Sequence, residues 1–154
     1  MKYFSLLVPF SFILACSPHI DGPPELAIVS RIDVEYFPET NQGKPWDPEE
    51  NNDNTRPDVY MVINAKNRSY LVHPRIENAS GSLVFKHGDL PIYLQHPEDE
   101  ITFEILDQDG GSVETIYSGT MTIWQSSGDE NEHAVEFKKD DLKVLFTVTF
   151  DYNN

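Results

Sequence analysis

Apolar residues in this chain recur at every second position rather than every third or fourth. Ile101 to Leu106 (ITFEIL) puts Ile101, Phe103 and Ile105 on one side and Thr102 and Glu104 on the other. Lys143 to Asp151 does the same with Val144, Phe146, Val148 and Phe150. Period two marks a half-buried strand, whereas a helix repeats at 3.6. No window of a dozen residues sustains helical spacing, and Gly, Pro, Asn and Asp interrupt the runs at short intervals. Further strands are expected at Leu26 to Phe37, with Ile28, Ile32, Val34 and Tyr36 on one face, and at Val59 to Ala65, apolar on both faces at its start as a central strand is. Arg68 to His73 follows across a two-residue break, Lys66-Asn67, which suits a hairpin. Leu90 to Leu94, Thr115 to Trp124 with Gly119 as a bulge, and a short Ala134 to Phe137 complete the set. Several short strands separated by turn residues imply an all-β sandwich or barrel.

The N-terminus follows a different rule. Lys2 precedes an apolar run from Leu6 to Ala15, which ends at Cys16, the one cysteine of the chain. A basic start, a short apolar stretch and small residues at its end read as a secretory signal. The run is too short for a membrane-spanning helix, which needs about 20 apolar residues. Ile13-Leu14-Ala15-Cys16 resembles the bacterial lipobox. That resemblance implies cleavage before Cys16 and attachment of acyl chains, palmitate among them, so that a membrane becomes a partner through a lipid anchor. The other reading is a chance cysteine inside a hydrophobic signal. Each buried methylene contributes about 0.8 kcal/mol, so several acyl chains hold far better than one. The expected organisation is a signal peptide over 1–15, a lipidated Cys16 with a Pro-rich tether over 16–25, and one domain over 26–154. The expected location is a bacterial cell envelope. Ser17, rather than Asp, after the cysteine favours its outer membrane.

Loss of residues 1–15 leaves 139 residues, enough for one domain. It also removes one base and no acid, leaving 10 bases against 26 acids and a net charge of −16. That balance excludes nucleic acid as a partner, because affinity for phosphates comes largely from Lys and Arg. It disfavours docking on anionic headgroups. It suits cations or a basic protein surface, and strong charge also serves solubility alone. With Cys16 acylated, no disulfide forms within the chain, so stability rests on a packed core or a metal.

Two acidic places stand where strands meet loops. One is Asp47, in a long polar stretch from Glu39 to Pro57, with Asp58 eleven residues further on. The other is Asp107-Gln-Asp109, with Glu114 after it. Loops as long as the first are usually functional or disordered. If the loops gather at one end of a sandwich, four carboxylates converge, and calcium suits them because it takes six to eight oxygens in a tolerant geometry. Equally, these are solvated turn acids, since Asp favours loops.

Pro57-Asp58-Val59-Tyr60 and Phe103-Glu-Ile-Leu-Asp107-Gln-Asp109 are similar to the acidic loop motifs of the C2 domain family. The resemblance covers roughly Leu26 to Tyr152. It implies an eight-stranded antiparallel β-sandwich with calcium at the loop tips, held by Asp47, Asp58, Asp107 and Asp109. Glu114 substitutes for a last acid that the family places near Thr115. The first acidic pair is more widely spaced than in the family, and Asp140 and Asp141 interrupt the lysines at 138, 139 and 143, so the basic lipid-binding stretch of some members is missing.

Other chemistry is weakly represented. The twelfth position counted from Asp107 is Ser118, so no EF-hand is closed. The five histidines lack zinc-ligand spacing, and no nucleophile elbow or phosphate-cradling glycine loop is present. The expectation is therefore a non-catalytic, membrane-anchored binding module whose partner is an envelope protein or a glycan. A carbohydrate-binding module predicts an exposed Trp46 with tyrosines beside it. An assembly subunit predicts a large apolar patch. A paired-carboxylate hydrolase predicts a deep pocket.

Overall fold

The computed structural model describes residues 22–36, 38, 40–46, 56–66, 68–86, 88–109, 111–124 and 132–152, without the side chain of residue 109. Its strands are β1 (Leu26–Glu35), β2 (Val59–Ala65), β3 (Arg68–Ile76), β4 (Leu83–Phe85), β5 (Ile92–Gln95), β6 (Glu100–Asp109), β7 (Ser112–Thr122), β8 (Glu132–Lys139) and β9 (Leu142–Asp151). One sheet runs β4-β1-β9-β8 with β5 also on β1, and the other runs β3-β2-β6-β7. Every pairing is antiparallel. The two sheets face each other across one core, as an all-β sandwich requires.

The expected rows build that core. Ile101, Phe103 and Ile105 are buried, as are Val144, Phe146, Val148 and Phe150 on β9, the strand flanked by β1 and β8. Phe103 sits at the centre of an aromatic group, edge-on to Phe137 at 5.0 Å and to Phe146 at 5.7 Å between ring centroids. Gly119 lies opposite Phe103 in the ladder, and a Cβ there would stand 2.5 Å from the Phe103 ring. The glycine is there for close approach. The bulge expected at Gly119 instead falls at Ile116, where the pairing passes from Ile105↔Tyr117 to Leu106↔Thr115.

β1 departs from its expected face. Ala27 and Val29 are buried, then Ile32 and Val34, while Ile28 is only partly buried and Tyr36 is exposed. The register against β9 shifts between Val29 and Arg31. An extra residue in one strand flips the phase of everything before it. A single alternation from Ile28 to Tyr36 therefore cannot hold.

The strand count is nine rather than eight among the described residues. β4 pairs with Ile32 to Val34 and β5 with Leu26 to Val29, both on the same side of β1. They are two halves of one edge position, separated by residues 86–91. The Lys66-Asn67 hairpin is as expected, with Ala65 paired to Arg68.

The strand termini sort into two ends. Glu35, Val59, Ile76, Leu83, Asp109, Ser112, Lys139 and Leu142 lie at one end of the sandwich. Leu26, Ala65, Arg68, Gln95, Glu100 and Asp151 lie at the other.

Candidate functional site

Asp107 is the fourth residue of the inward row on β6, after Ile101, Phe103 and Ile105, and it has no exposed surface. Period two has carried a carboxylate into the interior. Such a group must be hydrogen-bonded to be tolerated there. Its Oδ1 accepts the backbone N–H of Asp58 at 2.7 Å. The carbonyl of Asp58 accepts the N–H of Gln108 at 3.2 Å, closing a reciprocal link between the entry to β2 and the end of β6.

Asp58 then reaches the turn after β3. Its Oδ1 accepts the N–H of Asn78 at 2.9 Å, and its Oδ2 lies 3.3 Å from Nη2 of Arg75. Asn78 has φ 50°, a left-handed conformation that Asn adopts more readily than most residues. The same Nη2 is 3.5 Å from Glu77, and the N–H of Ala79 donates to the Pro57 carbonyl at 2.8 Å. Asp58 and Asp107 thus lie together at one end of the sandwich, as structural acceptors in a clasp of three elements. Asp107 is a buried strand residue and not a solvated turn acid.

The remaining expected ligands fare differently. Glu114 lies opposite Asp107 in the ladder but is exposed, with its Oε2 3.4 Å from the Asn41 amide nitrogen. Asp109 ends β6 opposite Ser112, and its side chain lies outside the described residues. Asp47 and Cys16 also lie outside them. Among the described residues, no group of three or more His, Cys, Asp or Glu side chains could hold a metal. Arg75 and Asn78 are not picked out by sequence reasoning. The available signal is an arginine at a strand end followed by Asn78 at a turn position.

Trp46 is buried rather than exposed, and its indole N–H donates to the Pro38 carbonyl at 3.0 Å. It pins the segment in which Asn41 and Lys44 exchange backbone hydrogen bonds of 2.8 and 3.0 Å. The platform that the carbohydrate alternative places at Trp46 is absent, and residues 40–46 have more local structure than their composition suggests.

A separate groove of about 550 Å³ opens on the outward side of the β3-β2-β6-β7 sheet. Asn64, Thr102, Glu104, Ser118 and Thr120 line it, with Phe137 and Lys139 of β8 at its rim. Thr102 is paired with both Asn64 and Thr120, and Glu104 with Ser118, so the polar side chains form cross-strand neighbours on one face. Hydroxyls, an amide, one carboxylate and one ammonium together offer donors and acceptors to a polar ligand.

No protein-family model matches the chain, and no curated protein does. Solved structures do. The first C2 domain of plant extended synaptotagmin 1 superposes over 86% of this chain and 98% of its own, with TM-score 0.52 and 11% identity.

The fold is C2-like.

The tandem C2 domains of extended synaptotagmin 2, in a calcium-bound structure, match 82% of this chain at TM-score 0.55 and 14% identity. Human GIVD cytosolic phospholipase A2 matches 86% at TM-score 0.60 and 8% identity. The C2-like chain spans 46% of the former and 18% of the latter.

Proposed function

We propose that this chain is a bacterial cell-envelope lipoprotein, anchored through acyl chains on Cys16, whose C2-like sandwich is a non-catalytic module that binds an envelope glycan. The groove beside Gly119 carries the reading, in place of Trp46, which is buried. Its hydroxyls on Thr102, Ser118 and Thr120 and the Asn64 amide match the hydroxyls of a sugar, and Phe137 offers an aromatic edge. Membrane attachment in this proposal runs through the anchor, because a net charge of −16 after signal removal opposes anionic headgroups.

Co-sedimentation of the full chain with purified peptidoglycan sacculi tests the ligand. The wild type should pellet with the sacculi, and the isosteric pair Thr102→Val and Thr120→Val should weaken retention about tenfold, since unpaired sugar hydroxyls lose affinity. β-branched replacements keep the strand. Wild-type protein left in the supernatant, or a double variant that pellets equally, would overturn the proposal.

Calcium is the finer expectation at the other site. The calcium-bound neighbour and the meeting of Asp58 with Asp107 favour a cation at that end. The described residues do not fit a calcium ligand set, because the Asp58 oxygens are taken by Asn78 and Arg75 and Asp107 accepts a backbone N–H. Calcium is accordingly no part of the proposed binding.

A further inference from the structure

The acidic end has a charge problem with a visible solution. The Asp107 carboxylate is fully buried and accepts the backbone N–H of Asp58, while the Asp58 carboxylate itself accepts the N–H of Asn78. A cation between the carboxylates of Asp58 and Glu77 offsets the charge gathered at this end. We propose that the guanidinium of Arg75 is that resident cation, so that the end of the sandwich is closed by the chain itself and folding does not depend on calcium.

The geometry assigns each contact. Arg75 is the second-last residue of β3, in a stretch where the register against β2 slips between the Val59↔Ile76 and Met61↔Val72 pairs. That irregularity places the arginine beside the entry to β2 rather than along the ladder. Its Nη2 reaches Asp58 at 3.3 Å and Glu77 at 3.5 Å, bridging the loop before β2 to the turn after β3. The side chains of Arg75 and Asp58 are 33% and 21% exposed, so the pair is partly shielded from water. Calcium needs six to eight oxygen ligands. To use Asp58 it would have to displace both the Asn78 N–H at 2.9 Å and the guanidinium. An arginine is suited to the position because its planar fork stays charged at every accessible pH and is less strongly hydrated than an ammonium. This inference is independent of the groove and of the anchor.

The test is thermal unfolding of the full chain in detergent, in EDTA and in calcium chloride at about 1 mM, a concentration that fills even weak extracellular calcium modules. The wild-type midpoint should move by less than about 1 °C, whereas a site half-filled well below that concentration would raise it by several degrees through mass action. In EDTA, Arg75→Gln should lower the midpoint by roughly 3–5 °C, on the scale expected for a domain of this size. Arg75→Lys should keep more than half of that stability, because charge is what the site needs. Adding Asp58→Asn to Arg75→Gln should cost less than the sum of the two single losses, since neither group then lacks its counter-charge. A calcium-induced rise above about 3 °C in the wild type, abolished by Asp58→Asn, would show that the metal is the cation and overturn the inference. So would an unchanged midpoint in Arg75→Gln, or strictly additive losses, which would reduce Arg75 to packing.

Discussion

At the scale of single residues, Asp107 and Gly119 set the limits of what the β6–β7 pair accepts. Asp107→Ala leaves the Asp58 N–H without its acceptor and should cost about 1–3 kcal/mol, the desolvation penalty of a lost partner, while Asp107→Asn should cost less because its carbonyl oxygen can still accept. Urea denaturation at pH 7 measures both, and equal losses would contradict the assignment. Gly119→Ala forces a methyl against the Phe103 and Phe137 rings and should cost roughly 1–3 kcal/mol, as overpacking does. Phe103→Ala should cost more, about 3–5 kcal/mol. The role of Asp107 is hard to foresee because Leu106 breaks the alternation and Gly-Gly follows close behind, so that the aspartate looks like a loop acid. β6 in fact continues to Asp109. The inward series of Ile101, Phe103 and Ile105 is plain, and simply extending it by two residues finds the buried carboxylate.

At the scale of elements, period-two patterning locates long strands well and short ones poorly. β9, β6 and β2 are legible because alternation or a continuous apolar run over seven or more residues has no rival reading here. β5, four residues long, is found with its bounds displaced, and β4, three residues long, escapes notice altogether. Bulges are invisible to a fixed period, which is why Ile28 falls on the wrong face of β1 when read from sequence. The clasp at Asp58 is half legible: the acids can be read, but Arg75 joins them only through tertiary geometry. The unequal lengths have a kinetic consequence. Amides of β4 and β5, paired to β1 along one edge, should exchange with deuterium well before those of β9, which is paired on both sides. Hydrogen-exchange mass spectrometry checks this, and equal protection of β4 and β9 would refute it.

At the scale of the molecule, charge and attachment dominate. With 26 acids against 11 bases in the whole chain, self-repulsion opposes the compact state. Raising sodium chloride from about 10 to 150 mM shortens the screening length from roughly 30 to 8 Å and should raise the melting midpoint. A midpoint that falls would mean that the ion pairs, including Arg75 with Asp58, outweigh the repulsion. For the proposed anchor, Cys16→Ser should move the protein from the membrane fraction to the soluble one, or leave an uncut precursor. Normal processing with membrane retention would contradict it.

The place where β1 begins gives the domain a polarity. Leu26 pairs with Asp151 and Gln95, while Glu35, at the far end of the strand, pairs with Lys143 at the end that carries the clasp. At about 3.3 Å per residue, the two poles are roughly 30 Å apart. In the proposed lipoprotein, a mooring line tied at Cys16 pulls on the pole that holds Leu26. The acidic pole then rides outermost, like the head of a buoy. Anything meeting Asp58, Glu77 and Glu114 first would come from the aqueous side rather than from the bilayer that holds the chain.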